Sequence, residues 1–194
     1  MDIIELDRIA VLESVRLVDR AGPGDWDRPT PCDRWALRRL VEHMGTQHLG
    51  FAAAARGEGA DAAAWAHQAA GDDPAAWYRG TARTLLDAFG RPGASERRFA
   101  LPEISAETTF PGATAMGFHF IDYVVHSWDV AAALGLPLAL PDDVVEAALP
   151  VALRVPDGPA RERPDASFRP ALPMAEGGPL PRVLAALGRS PDWR

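Results

Sequence analysis

Phe118-His119-Phe120-Ile121-Asp122-Tyr123-Val124-Val125-His126-Ser127-Trp128-Asp129-Val130-Ala131 carries two imidazoles and a carboxylate on one side of a helix. At about 100° per residue, Asp122 and His126 lie within roughly 60° of His119. Phe120, Ile121, Val124, Trp128 and Ala131 form the opposite, apolar face. A surface helix turns its polar stripe to water and surrounds it with charge. Here residues 108–141 contain no Arg and no Glu, and Asp122 and Asp129 are their only charges. Such a helix is expected to be buried on most sides. Its polar groups must then satisfy one another, bind a metal or do chemistry.

Working outward, Ile4, Ile9, Leu12, Val15 and Leu17 mark the apolar stripe of a first helix, stopped by Gly22-Pro23-Gly24. A turn-rich segment leads into a second helix that begins between Asp33 and Ala36 and fades near Arg56-Gly57. Its apolar side is Leu37, Leu40, Val41, Met44, His48 and Phe51. A third runs from Pro74, suited to a first turn, to Phe89. The opening stretch belongs to a fourth, from about Ala113 to Leu134, closed by Gly135, and Phe99 and Leu101 lie extended in the link before it. The fold class expected is all-α, a four-helix bundle over 1–137, and the long link permits a connection other than up-and-down. Residues 138–194 hold a fifth helix over Asp142–Leu153, a Pro-rich irregular strip over Val155–Pro173 and a short helix over Leu180–Leu187. This extension is expected to pack on the bundle rather than form a second domain.

The 194 residues suffice for one sizeable core, and 47% hydrophobic with 24% charged residues is a globular composition. A net charge of −7 with scattered basic residues argues against nucleic acid or an anionic membrane as partner. No apolar run reaches spanning length, and the acidic start from Met1 to Asp7 is not expected to be a targeting signal. A lone cysteine, Cys32, excludes an internal disulfide and makes a cytoplasmic location the expectation. All twenty basic residues are Arg, and Lys and Asn are absent, a codon bias of a GC-rich genome that also removes Schiff-base lysine chemistry.

Asp122 and His126, four residues apart, present an oxygen and a nitrogen to one point above the helix. Such a pair can share a metal or simply hydrogen-bond. A third ligand must come from another helix. The second helix offers His43 and His48, whose directions differ by about 140°, so both cannot serve one site, and periodicity does not choose between them. His119 is a candidate catalytic residue that handles a proton near neutral pH, or else a packed histidine with a backbone partner. Asp129 is placed to orient a ligand imidazole, or equally to meet an Arg or the helix surface. Cys32 precedes a helix N-terminus, which lowers a thiol pKa, although a small buried side chain in a turn is the simpler reading. Arg34, Arg38, Arg39 and Arg83 are candidates for holding acidic groups, but Arg is the only fixed cation available to this chain. Trp35 and Trp128 read as bundle packing, Trp193 as a pin for the tail, and His67 as a solvated loop residue.

The run Pro29-Thr30-Pro31-Cys32-Asp33-Arg34-Trp35-Ala36-Leu37-Arg38-Arg39-Leu40-Val41-Glu42-His43 resembles the "TPC-x-x-W…LV-x-H" signature of actinobacterial DinB-like proteins. These are related to the N-terminal metal-binding domain of mycothiol-dependent maleylpyruvate isomerase. Asp122 to Ala131 is similar to that family's "D-x-x-VH-x-WD-x-A" segment, and Gly188-Arg189-Ser190-Pro191-Asp192-Trp193 to its characteristic end. The resemblance implies a DinB-like four-helix bundle with a long crossover, and a metal triad of His43, Asp122 and His126. It thereby selects His43 over His48. Two departures accompany it: the isomerase has Glu where this chain has Asp122, and its C-terminal domain, which helps bind substrate, is expected to exceed what this tail supplies. Efficient isomerisation of maleylpyruvate is therefore not expected.

The function expected is that of a metal-dependent enzyme using a low-molecular-weight thiol, with mycothiol as the candidate co-substrate. It would carry out S-transfer or thiol-assisted isomerisation of a small-molecule electrophile. The cofactor expected is a divalent metal, zinc on ligand type. Two alternatives stand beside it: a thiol-independent metal-dependent lyase, cyclase or hydrolase, and a non-catalytic metal- or small-molecule-binding bundle. The oligomeric state is left open, a homodimer being compatible with the sequence.

Overall fold

Each bundle helix begins and ends where its terminal backbone groups find partners. The structure is a computed structural model and describes residues 1–32, 35–163, 166–174 and 176–193. Helix α1, Ile3–Val18, is capped by the Asp2 side chain, which accepts from the Glu5 amide at 2.9 Å. Helix α2, Leu37–Arg56, closes on Gly57 at φ 89°, a left-handed turn that suits a residue without a Cβ. Helix α3, Pro74–Phe89, is capped by Asp73, which accepts from the Ala76 amide at 2.9 Å. Helix α4, Gly112–Leu134, is the longest and closes in the same way on Gly135.

The four helices form a ring in which α1 packs most extensively on α4 and α2 on α3, with α1–α3 and α2–α4 contacts completing it. Helices consecutive in sequence, α1 with α2 and α3 with α4, are therefore diagonal to each other. This is not an up-and-down bundle, and α2 becomes the neighbour of α4. The link from α3 to α4 carries a small antiparallel hairpin, β1 Arg98–Ala100 and β2 Thr109–Pro111, with Phe99 opposite Phe110. Phe99, expected to be extended, thus has Phe110 as its strand partner. Helices α5, Asp142–Ala152, and α6, Pro179–Ala186, pack on each other, and α5 packs on α4. Arg161, 5% exposed, binds the strip before α6 by donating to the carbonyls of Val155, Pro156 and Ala186 at 2.9, 2.8 and 2.7 Å.

The apolar stripe of α1 needs correction. Leu12 is 43% exposed, whereas the buried side runs through Asp7, Ala10, Val11, Ser14, Leu17 and Val18. Asp7 and Ser14 hold core positions because partners await them on α4 and α3, which a hydrophobicity pattern cannot register. His67 is also not merely solvated: it bonds to Arg39 and lies 3.5 Å from Glu42. Among the described residues, no helix is long and apolar enough to cross a membrane.

Candidate metal centre and its cavity

Because α2 and α4 are neighbours, His43 of α2 meets Asp122 and His126 of α4. One ligand atom from each of these residues lies within 4.8 Å of the other two. Asp122 and His126 are separated by one helical turn, and Asp122 Oδ1 stands 3.4 Å from His126 Nε2. The ring of Trp35 packs 4.5 Å from that of His43. These side chains line a cavity of about 540 Å³, together with Gln47, Glu103, Ile104, Phe118 and Phe168. Trp65 forms another wall. It approaches α2 at Gly50, where a Cβ would come within 2.4 Å of the indole ring.

His126 is held from behind. Its Nδ1 lies 2.9 Å from Asp129 Oδ2, and Asp129 is 0% exposed. Arg189, only 3% exposed, donates to the same carboxylate at 2.9, 3.1 and 3.3 Å. Burial raises the pKa of Asp129, but the hydrogen bond from His126 and the charge of Arg189 outweigh it, so the group is depressed and ionised. An ionised carboxylate only accepts, so His126 Nδ1 must donate. Nε2 then turns toward Asp122 Oδ1, lone pair against lone pair, unless a proton or a cation lies between them. Burial lowers the His126 pKa, but the Asp122 charge and the Asp129 contact outweigh it and raise it above the ordinary histidine value.

The donor set suits a metal by the same argument. Two imidazoles and a carboxylate leave a position open for a further ligand. Two donors about 2.1 Å from a tetrahedral ion stand about 3.4 Å apart, which is the spacing of Asp122 and His126.

The candidate catalytic residue His119 lies elsewhere. It is 1% exposed, does not line the cavity, and bonds through Nδ1 to Asp7 Oδ1 of α1 at 2.6 Å. Its ring stacks on Tyr123 at 4.0 Å and lies 5.7 Å from that of His48. His48 is 0% exposed, bonds to Thr81 Oγ1 at 3.0 Å, and is also absent from the cavity lining. Two histidines weighed from the sequence thus belong to a sealed polar layer of the core. Burial pushes the Asp7 carboxyl up against the pull of His119, and burial, then the His119 charge, push His48 well below its ordinary value.

Cys32 is 3% exposed in the turn before α2, and Thr30 Oγ1 donates to its carbonyl at 3.1 Å. Arg38 and Arg39 face Glu42 and His67 rather than the cavity, and Arg34 lies outside the described residues. Gln47, Glu103, Phe168 and Arg189 escaped the sequence reading as parts of one site. Gln47, one turn after His43, had a readable signal. Arg189 lay in the family's characteristic end without its partner being readable, and Glu103 and Phe168 arrive from distant segments with no signal.

The profile of the mycothiol maleylpyruvate isomerase N-terminal domain matches residues 8–131. Two curated relatives, both described as uncharacterized proteins of Mycobacterium tuberculosis, are each 31% identical over 190 residues, spanning 93% of this chain and 91% of theirs. Crystal structures of the mycothiol-dependent maleylpyruvate isomerase and of a mutant of it superpose with a TM-score of 0.65. The superposition covers 98% of this chain and 89% of the isomerase, at 14% and 12% identity respectively. The likeness therefore concerns the fold. It also corrects the expectation drawn from the short tail: with 89% of the isomerase chain matched, the segment after the bundle has counterparts in that structure.

Proposed function

The chain belongs to the mycothiol maleylpyruvate isomerase N-terminal domain family, and from that premise we propose that it is a metal-dependent enzyme using a low-molecular-weight thiol on a small electrophile. The reaction is S-transfer or thiol-assisted isomerisation. The observation that carries this reading is the convergence of His43, Asp122 and His126 at the wall of one cavity. Mycothiol is the thiol suggested by family membership, and zinc is the ion suited to two imidazoles and a carboxylate. When bound, a divalent ion with an open position favours the ionised form of a thiol at neutral pH.

The chain's own residues supply orientation and exclusion of water. Asp129, gripped by Arg189, keeps the proton of His126 on Nδ1 and leaves Nε2 for the site. Trp35 packs against His43 and limits its rotation. Trp35, Phe51, Trp65, Phe118 and Phe168 give the cavity aromatic walls beside the three candidate ligands. His119 stays behind this wall and touches Phe51, which does line the cavity, so its part is positioning rather than contact.

Elemental analysis of purified protein is expected to find about one divalent ion per chain. With cobalt in its place, mycothiol should add a sulfur-to-metal absorption band. Metal-free protein that refuses zinc would overturn the metal reading. A loaded site that ignores mycothiol and other thiols would instead favour the thiol-independent lyase, cyclase or hydrolase.

A further inference from the structure

Beside the metal donors the cavity has a second carboxylate. Glu103, on the loop between β1 and β2, lines it, and Gln47 Nε2 donates to Glu103 Oε2 at 2.7 Å. Gln47 is 8% exposed and stands one turn after His43 on α2, so the amide that holds Glu103 is itself held. One carboxylate oxygen is thereby committed, and Oε1 remains for a ligand's donor. The walls around Glu103 and Asp122 are Trp35, Phe51, Trp65, Phe118 and Phe168. Among the described lining residues there is no Arg, and the chain has no Lys. Arg189 is committed to Asp129, and Arg39 bonds to His67.

The geometry points to Glu103 as a specificity-determining residue that restricts the cavity to electrophiles without a carboxylate, having a planar apolar body and a neutral or cationic polar end. This rests on reading the cavity as the place where the electrophile binds. A carboxylate set against Glu103 meets a like charge beside aromatic walls, and in the metal-free protein Asp122 adds a second one. A hydroxyl, amide or ammonium group instead gives Glu103 a partner, and five aromatic side chains favour a flat ring. A dicarboxylate falls on the excluded side.

Benzyl alcohol, benzylamine and benzoate share one ring and differ in charge. Their binding to the full chain can be followed through the fluorescence of Trp35 and Trp65, in chelating buffer so that no ion contributes. Benzoate is expected to bind at least about tenfold more weakly than the other two. Glu103→Gln should narrow that gap to about twofold while leaving benzyl alcohol within about twofold of wild type. Glu103 is exposed, so the substitution should leave the fold intact, which circular dichroism checks. Equal binding of benzoate and benzyl alcohol by wild type, no saturable binding of benzyl alcohol, or a uniform shift of all three in Glu103→Gln would each overturn the assignment. Zinc uptake is measured separately, so failure of the metal reading and failure of this one are distinguishable.

Discussion

Helix α4 supports two polar clusters about two turns apart, made from the same kinds of residue and put to opposite uses. Around His126, a carboxylate fixes Nδ1 and Nε2 is left at a cavity beside Asp122 and His43. Around His119, a carboxylate likewise fixes Nδ1, but the rest of the ring is enclosed by Tyr123, Phe51 and Phe89. His119 Nε2, His48 Nε2 and Asp7 Oδ2 are buried there with no hydrogen-bond partner among the described residues. The contrast separates two meanings of a buried Asp–His pair. Where the second nitrogen faces open space, the pair can present a ligand. Where it faces rings, the pair fixes the packing of helices.

The largest effect should come from breaking the sealed cluster. Asp7→Ala removes the partner of a fully buried imidazole and should cost about 3–5 kcal/mol, as expected for a buried pair that loses one member. Urea unfolding of the metal-free protein measures this, and a loss below about 1 kcal/mol would show that the core pair is not structural. The opened cluster should respond the other way. His43→Ala and Asp122→Ala are each expected to weaken zinc binding by at least about 100-fold while metal-free stability changes by less than about 1 kcal/mol. His48→Leu should leave zinc content unchanged. Loss of zinc in that variant, with retention in His43→Ala, would exchange the roles given to the two clusters.

Arg189→Met tests the support behind His126. It strips Asp129 of its arginine partner while His126 still holds the carboxylate. The expected result is a zinc affinity lower by about 10-fold or more and a stability loss of about 1–3 kcal/mol. Unchanged zinc affinity with lowered stability would make Arg189 a tail anchor only.

The smallest effect is a difference in sign. In metal-free protein the His126 pKa is raised, because Asp122 and Asp129 outweigh burial. Its contribution to stability is therefore full below the unfolded value near 6.5 and lost as pH rises through the folded one. Burial and the charge of His119 lower His48 instead, so its contribution is full above about 6.5 and lost as pH falls. Asp129 is depressed, so its share is lost only as pH falls below the ordinary carboxylate range. His126→Gln should flatten the alkaline decline of the urea midpoint and His48→Leu the decline as pH falls below about 6.5. If both variants flattened the same limb, the two clusters would not differ electrostatically.

Much of this was readable from residues alone, and the limit has a geometric cause. Helical spacing gave the bundle helices, with α3 at Pro74–Phe89 and α4 within a residue of its expected start. The missing charge around α4 announced a buried helix, and family motifs grouped His43 with Asp122 and His126. But periodicity gives a direction about a helix's own axis and not the identity of the neighbour in that direction. His119 and His126 share an azimuth within roughly 20°, yet one meets Asp7 of α1 and the other the cavity. The order of the helices around the ring decided this, by setting α4 against α1 along one flank and against α2 along another. The same arrangement turned Asp7 and Ser14 inward on a helix whose apolar residues suggested another face. Tertiary structure alone delivered Glu103 to Gln47 and Arg189 to Asp129 across 56 and 60 residues of chain. Such contacts leave no local signature, because nothing in the spacing of a loop glutamate or a C-terminal arginine records what the folded chain sets beside it.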